Sequence, residues 1–215
     1  MADYTTLAAV KADMPDSALF STTDTSYDAV ISGMITAASR LIDREVGGWP
    51  DFFNTTTDAD DTTRYFDGSG DKVQEIDQTV SLTSVSVAES GGRAATDYTD
   101  WTENTDFYIW PYNYSQIEKP IRRLIVDNDS GSKGVFTRDN KSVKVTGVFG
   151  YSETPPNEIT QACKIQTMRW FMRSKQGYQD AGANAAMGGM IYTKELDPDV
   201  KLLLNPFKLE NLFAV

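Results

Sequence analysis

Val143-Lys144-Val145-Thr146-Gly147-Val148-Phe149-Gly150-Tyr151, followed closely by Thr154-Pro155-Pro156-Asn157-Glu158-Ile159, holds the switch that decides the fold. The first half is rich in β-branched and aromatic residues at alternating positions, the pattern of a half-buried strand. The second half offers a Thr cap, prolines at the first helical positions and an acid in the first turn, and so predicts a helix from Ile159 to Lys175. Strands therefore belong before residue 152 and helix after it.

Further short β-like runs lie upstream, at Arg64-Tyr65-Phe66, Leu82 to Ala88, Phe107 to Trp110 and Leu124 to Val126. Turn residues separate them: Asp67-Gly68-Ser69-Gly70, Gly91-Gly92, and Asp127 to Lys133, which reads as a hairpin loop. Together they predict an antiparallel unit of five to seven strands. The preceding NTTTDADDTT, Asn54 to Thr63, has no apolar period and reads as a solvated loop.

Towards the start, Tyr27, Val30, Ile31, Met34, Ala38, Leu41, Ile42 and Val46 recur at spacings of three and four, which predicts an amphipathic helix from Ser26 to Val46. Asp24 or Ser26 is its expected N-cap, and Gly47-Gly48 its stop. Thr5 or Thr6 caps a shorter helix using Leu7, Val10 and Met14, before Pro15.

Apolar residues fall on nearly every side of the 159–175 helix (Ile159, Ala162, Cys163, Ile165, Met168, Trp170, Phe171, Met172), so it is expected either at the centre of a domain or between two partners. Beyond it, Gly177 to Gly189 reads as flexible, Met190 to Thr193 as extended, and Asp197-Pro198-Asp199 as the cap of a last helix using Val200, Leu202, Leu203 and Leu204. The apolar tail from Pro206 to Val215 is expected to dock onto something.

The fold class read from this order is α+β: a helical core with an inserted antiparallel β domain and an extended C-terminal arm, divided as 1–63, 64–152 and 153–215. At 215 residues the chain is expected to form one domain carrying a large insertion. No apolar run approaches the roughly 18 residues of a membrane span, and MADYTTLAAV lacks a signal-peptide pattern, so a soluble, unprocessed chain with no membrane contact is expected.

Composition narrows the chemistry. Histidine is absent and Cys163 is the only cysteine, which excludes a disulfide, a Cys-rich zinc site and any His-based triad within one chain. Residues 1–70 carry 12 acids and 4 bases, residues 71–155 carry 13 and 9, and residues 156–215 carry 6 and 7. A chain of net charge −11 repels phosphate backbones, so tight DNA binding is not expected.

Several constellations have a plain reading beside the sharper one. Asp58, Asp60 and Asp61 offer oxygens for Ca²⁺, but no glycine at the required offset and no distal Glu follow, and a solvated acidic loop is the better account. Asp127-Asn128-Asp129-Ser130-Gly131 fails the same test, because Arg138 stands where the twelfth-position Glu is needed. Gly188-Gly189 lacks the context of a phosphate loop. No carboxylate pair is singled out for glycoside hydrolysis, and the chain is not expected to be an enzyme or to bind a cofactor or metal.

The aromatics Tyr98, Trp101, Phe107, Tyr108, Trp110, Tyr112 and Tyr114 fit core and interface packing, with carbohydrate contact the alternative. Cys163 reads as a buried small hydrophobe. Lys164, Arg169, Arg173 and Lys175 either pair with acids of a neighbouring chain or form the solvated face of their helix.

The opening Leu7-Ala8-Ala9-Val10-Lys11, the helix end Ala37-Ala38-Ser39-Arg40-Leu41-Ile42-Asp43, the strand-turn Thr63-Arg64-Tyr65-Phe66-Asp67-Gly68, the 143–159 switch, and the closing Leu196-Asp197-Pro198-Asp199-Val200 with Leu203-Leu204-Asn205-Pro206 occur in that order. In this combination, over most of its length, the chain resembles the head-tail connector (adaptor) proteins of tailed bacteriophages. The resemblance implies a structural protein of the virion neck, made in the host bacterial cytoplasm. It implies a ring of copies, a dodecamer, beneath the portal protein, through which double-stranded DNA passes without specific binding and below which a stopper or tail-completion protein attaches. The acidic first 70 residues suit such a channel.

By the same resemblance Met190 to Val215 is a portal-docking arm, with Tyr192, Leu196, Val200, Leu203, Leu204, Pro206, Phe207, Leu209, Leu212 and Phe213 as its contact residues. Ile159, Lys164, Met168, Arg169, Phe171, Met172 and Arg173 are the corresponding inter-subunit residues on the helix. The loops near Gly68 to Asp71 and Ser90 to Ala95 are assigned to the tail side. A chain cut after Lys194 is expected to fold without joining the portal. The alternative function is a carbohydrate-contacting tail or baseplate module using the aromatic β region.

Overall fold

Thr6, in extended conformation, turns its hydroxyl back to accept the Ala9 N–H at 3.2 Å and starts helix α1, Leu7–Asp13. Helix α2, Asp28–Val46, begins later than its periodicity predicts. Asp24 accepts the Ser26 N–H at 2.8 Å and closes a turn, which leaves Tyr27 at the N-cap without a side-chain cap bond. Gly47, at φ 80°, ends α2 in the left-handed region, with its own N–H and that of Gly48 closing on Arg44 and Asp43 carbonyls. The computed structural model describes residues 2–14, 24–55, 61–88, 97–129, 131–175, 181–184, 189–192 and 196–209, the side chains of 181–184 and 189–192 excepted.

Two compact units result, Met1–Phe53 with Pro155–Val215, and Asn54–Thr154. The boundary lies before residue 54 and not after residue 63. Thr62 and Thr63 already belong to strand β1, Thr62–Phe66, and Thr55 donates its N–H to Ser152 at 3.3 Å, so the supposed solvated loop ends inside the sheet.

In the second unit the other strands are β2 (Val73–Ala88), β3 (Tyr98–Trp101), β4 (Phe107–Trp110), β5 (Ile121–Val126) and β6 (Val143–Phe149), all antiparallel. Their order is β1-β6-β2-β5-β4, with β3 added on β2. β2 is long enough to serve three neighbours: Thr79 faces both Ile121 and Phe149, while Val85 faces both Trp101 and Val145. Register shifts near Glu75, Thr79 and Leu82 bend it, as bulges do.

β5 and β6 therefore flank β2 on opposite edges. The segment from Asp127 crosses from one edge to the other and is no hairpin loop, a topology that local turn chemistry does not encode. Alternation holds in β6, where Val143, Val145 and Phe149 are buried and Lys144, Thr146 and Val148 half-buried. It fails at Val85-Ser86-Val87-Ala88, all buried.

In the first unit α3, Asn157–Lys175, packs on α2 and on α4, Pro198–Leu204. The prolines precede α3, and the Pro156 carbonyl accepts its first helical bond, from Thr160, at 3.0 Å. Asp197 caps α4 by accepting the Asp199 N–H at 3.0 Å. Part of the stretch expected to be flexible pairs instead: β7 (Ala181–Asn184) with β8 (Gly189–Tyr192), in a two-stranded sheet. No helix among the described residues is long and apolar enough to cross a membrane.

Candidate assembly surfaces

The buried stripe of α3 is Ile159, Ala162, Cys163, Gln166, Thr167 and Phe171, one face at helical spacing. That corrects the expectation of a helix apolar all round. Two polar residues lie in the stripe, while Ile165, Met168 and Trp170 are half-buried and Met172 is 47% exposed. Ile159 and Phe171 are spent on the chain's own core and offer nothing to a neighbour. Phe171 meets Tyr27 edge-on, with ring centroids 5.7 Å apart.

The cations of α3 have acids of their own chain to hand. Lys164 reaches Asp13 at 2.8 Å and Arg169 reaches Asp197 at 2.7 Å, so both are satisfied without a neighbouring chain. Lys175 lies over the Tyr27 ring, 2.9 Å from its centroid, and Arg173 is half-buried.

The supposed arm is only partly exposed. Val200, Leu204 and Phe207 are buried, Phe207 meeting Phe53 edge-on at 5.5 Å, and the Leu209 N–H donates to the Val46 carbonyl at 2.8 Å. These residues close the helical core. A chain cut after Lys194 would lose Val200, Leu204 and Phe207 from that core, which are therefore no mere docking arm. Leu196, Leu203 and Leu209 are half-buried, Pro206 is exposed, and Leu202 is 74% exposed. Tyr192 lies in β8; Leu212 and Phe213 fall outside the described residues.

A polar network passed over by the sequence reading ties the N-terminal segment to α2. The Tyr4 hydroxyl donates to Asp43 Oδ1 and accepts the Phe53 N–H at 3.2 Å, while the Tyr4 N–H donates to Ser39 Oγ at 3.0 Å. Arg40 reaches Asp43 at 3.2 Å, Asp51 at 3.1 Å and the Ala2 carbonyl at 2.6 Å. Burial pushes the Asp43 carboxyl up to about 6, against the hydrogen bond from Tyr4 and the charge of Arg40; burial first, then Asp43, push the Tyr4 hydroxyl up. The available signal was an acid three residues after Arg40 within the apolar stripe Ile35, Ile42, Val46.

The same network reaches α3. Ser39 Oγ lies 3.5 Å from Cys163 Sγ, and burial pushes that thiol up to about 11, which makes it an inert hydrophobe.

In the β unit the aromatic set divides. Trp101 stacks on Phe136, centroids 4.8 Å apart, and Phe107 is buried, so both belong to the core. The Tyr108 hydroxyl donates to Asp127 at 2.8 Å, Arg123 covers Trp110 at 5.1 Å, and Tyr112 is exposed. The turn at Gly68 and Gly70 is held by backbone bonds to Asp139 and Phe136; Ser90 to Ala95 fall outside the described residues. Among the described residues no group of three His, Cys, Asp or Glu is placed to hold a metal ion.

No protein-family model matches the chain, and no curated protein matches it. Solved structures do match, two of the matching chains coming from gene transfer agent particles. A chain from the virion of a native gene transfer agent particle is 12% identical, with 99% of this chain and 93% of that one aligned at a TM-score of 0.52. A chain from the neck of an empty gene transfer agent particle, computed with C6 symmetry, is 11% identical over the same shares at a TM-score of 0.49. At 12% identity the likeness to the virion chain is one of fold alone.

Proposed function

We propose that the chain is a structural neck protein of a phage-like particle, a head-tail adaptor that acts by assembly and carries out no catalysis. In this reading copies form a ring beneath the portal, continue the DNA channel and present the attachment site for the next neck or tail protein. The single observation that carries it is a likeness of fold extending over 99% of the chain to a chain of a gene transfer agent virion. The ordered motifs from Leu7-Ala8-Ala9 to Leu203-Leu204-Asn205-Pro206 point the same way, as does a net charge of −11 that suits a channel through which DNA slides.

The experiment is deletion of the gene from a producing strain. Particles lacking the chain are expected to stop as filled heads without tails, and expression of the chain in trans to restore tails. Normal tailed particles without it would refute the reading.

A further inference from the structure

Resting on the reading of the chain as a ring-forming neck protein, we propose that copies join head to tail through two helical faces, the outer face of α3 docking antiparallel on the outer face of α2 in the next copy. Both faces are uncharged between their ends. On α3, Gln161, Ile165, Met168 and Met172 follow one another at i, i+4, i+7 and i+11, opposite the buried stripe. On α2, residues 29–39 contain no charge, and Val30, Gly33 and Ala37 are exposed beside half-buried Met34 and Leu41. The cations bordering the α3 face, Lys164 and Arg169, already have partners in Asp13 and Asp197, so docking would strand neither.

Gly33 adds a separate observation. A Cβ built there meets nothing within 4 Å, so nothing nearby within the chain requires glycine in mid-helix, where it is unfavourable relative to alanine. A bulky side chain from outside gives it a reason.

The helix ends are complementary in charge. α3 carries exposed Glu158 in its first turn and ends at exposed Lys175, whereas α2 is preceded by exposed Asp24 and carries exposed Arg44 in its last turn, with Glu45 beside it. Antiparallel docking sets Glu158 against Arg44, while Lys175 stays over Tyr27 of its own chain. At 1.5 Å per residue, Glu158 to Lys175 spans about 26 Å and Asp28 to Arg44 about 24 Å, so both ends meet together. That register places Ile165 over Ala37, Met168 over Met34 beside Gly33, and Met172 over Val30.

Within one copy the buried stripes of α2 and α3 face each other, with Ser39 against Cys163 and Tyr27 against Phe171. Their outer faces therefore point away from each other, and a contact between two different faces is heterologous, the kind that closes rings.

The test is oxidative cross-linking of full-length Ala37→Cys and Ile165→Cys chains at high protein concentration, Cys163 being buried and inert. A mixture of the two is expected to give covalent dimer at tenfold or more over either variant alone, and the double variant a ladder. Homodimer of one variant in excess, or no mixed product, overturns the proposal. As a second readout, Arg44→Glu or Glu158→Arg alone is expected to cut mixed cross-linking about tenfold and the two swaps together to restore it; no restoration overturns the pairing. Presence of the wild-type chain in particles is scored separately. If it is incorporated while the α2–α3 cross-link is absent, only this interface is wrong; if it is never incorporated, the neck reading itself fails.

Discussion

The helical unit and the β unit treat their outward surfaces differently. The β unit lays cations over part of its aromatic surface: Arg64 pairs with Asp77 at 2.6 Å and lies over the Phe149 ring at 4.4 Å, and Arg123 pairs with Glu75 at 3.0 Å while covering Trp110, yet Tyr65 and Tyr112 stay exposed. The helices spend their charges at their flanks and leave the outer faces of α2 and α3 uncharged. A sheet whose rings lie partly under cations offers a mixed surface, whereas two helical faces uncharged between their ends offer the kind of surface a partner covers.

The largest expected effect lies where the helical unit closes its core. Phe171→Ala should cost about 3–5 kcal/mol in chemical denaturation, because a fully buried ring is removed from between α2 and α3. A loss below about 1 kcal/mol would mean that the helix pair is not packed as described.

Next is the pH dependence of the Tyr4–Asp43–Arg40 network. Asp43 ordinarily titrates at 3.8 and is raised to about 6 in the folded chain, so the native state holds that proton more tightly than the unfolded one. This single group makes stability fall as pH rises from about 4 to 6, by on the order of 2 kcal/mol, with no further change above. Asp43→Asn should remove that fall, read as the difference between the two stability–pH curves; parallel curves would contradict it.

A smaller effect tests the cation-covered part of the sheet. Arg64→Met, at a largely solvated ion pair, should change stability by no more than about 1 kcal/mol. The smallest concerns the helical surface. Leu202→Ser should leave stability within about 0.5 kcal/mol, since Leu202 is 74% exposed; a larger loss would place it in the core.

The strands and helices legible in the sequence are those whose period is carried by their own residues, such as the Ile31, Ala38, Ile42, Val46 stripe of α2 and the alternation of β6. What escaped was set by partners distant in the chain. Val73 to Ser81 were not read as strand because Gln74 and Gln78 occupy buried positions of β2, where a sequence pattern calls for apolar residues. The pairing of β5 and β6 on opposite edges of β2 follows from the length of β2 and from no local turn.

The assembly surface was legible only in part. The composition of α3 signalled apolar excess, but could not tell Ile159 and Phe171, which close the core, from Ile165 and Met172, which do not. In the C-terminal segment Val200, Leu204 and Phe207 form a core face that seven-residue α4 is too short to announce by periodicity.

The central claim, that this chain works by ring assembly at a particle neck, is tested most directly by cryo-electron microscopy of the assembled particle. The account predicts density fitting the two units as a closed ring directly below the portal, the outer face of α3 in each copy lying against α2 of the next. Density for the chain at the capsid surface or the tail tip, or as isolated copies at the neck with no helix contact between them, would contradict it.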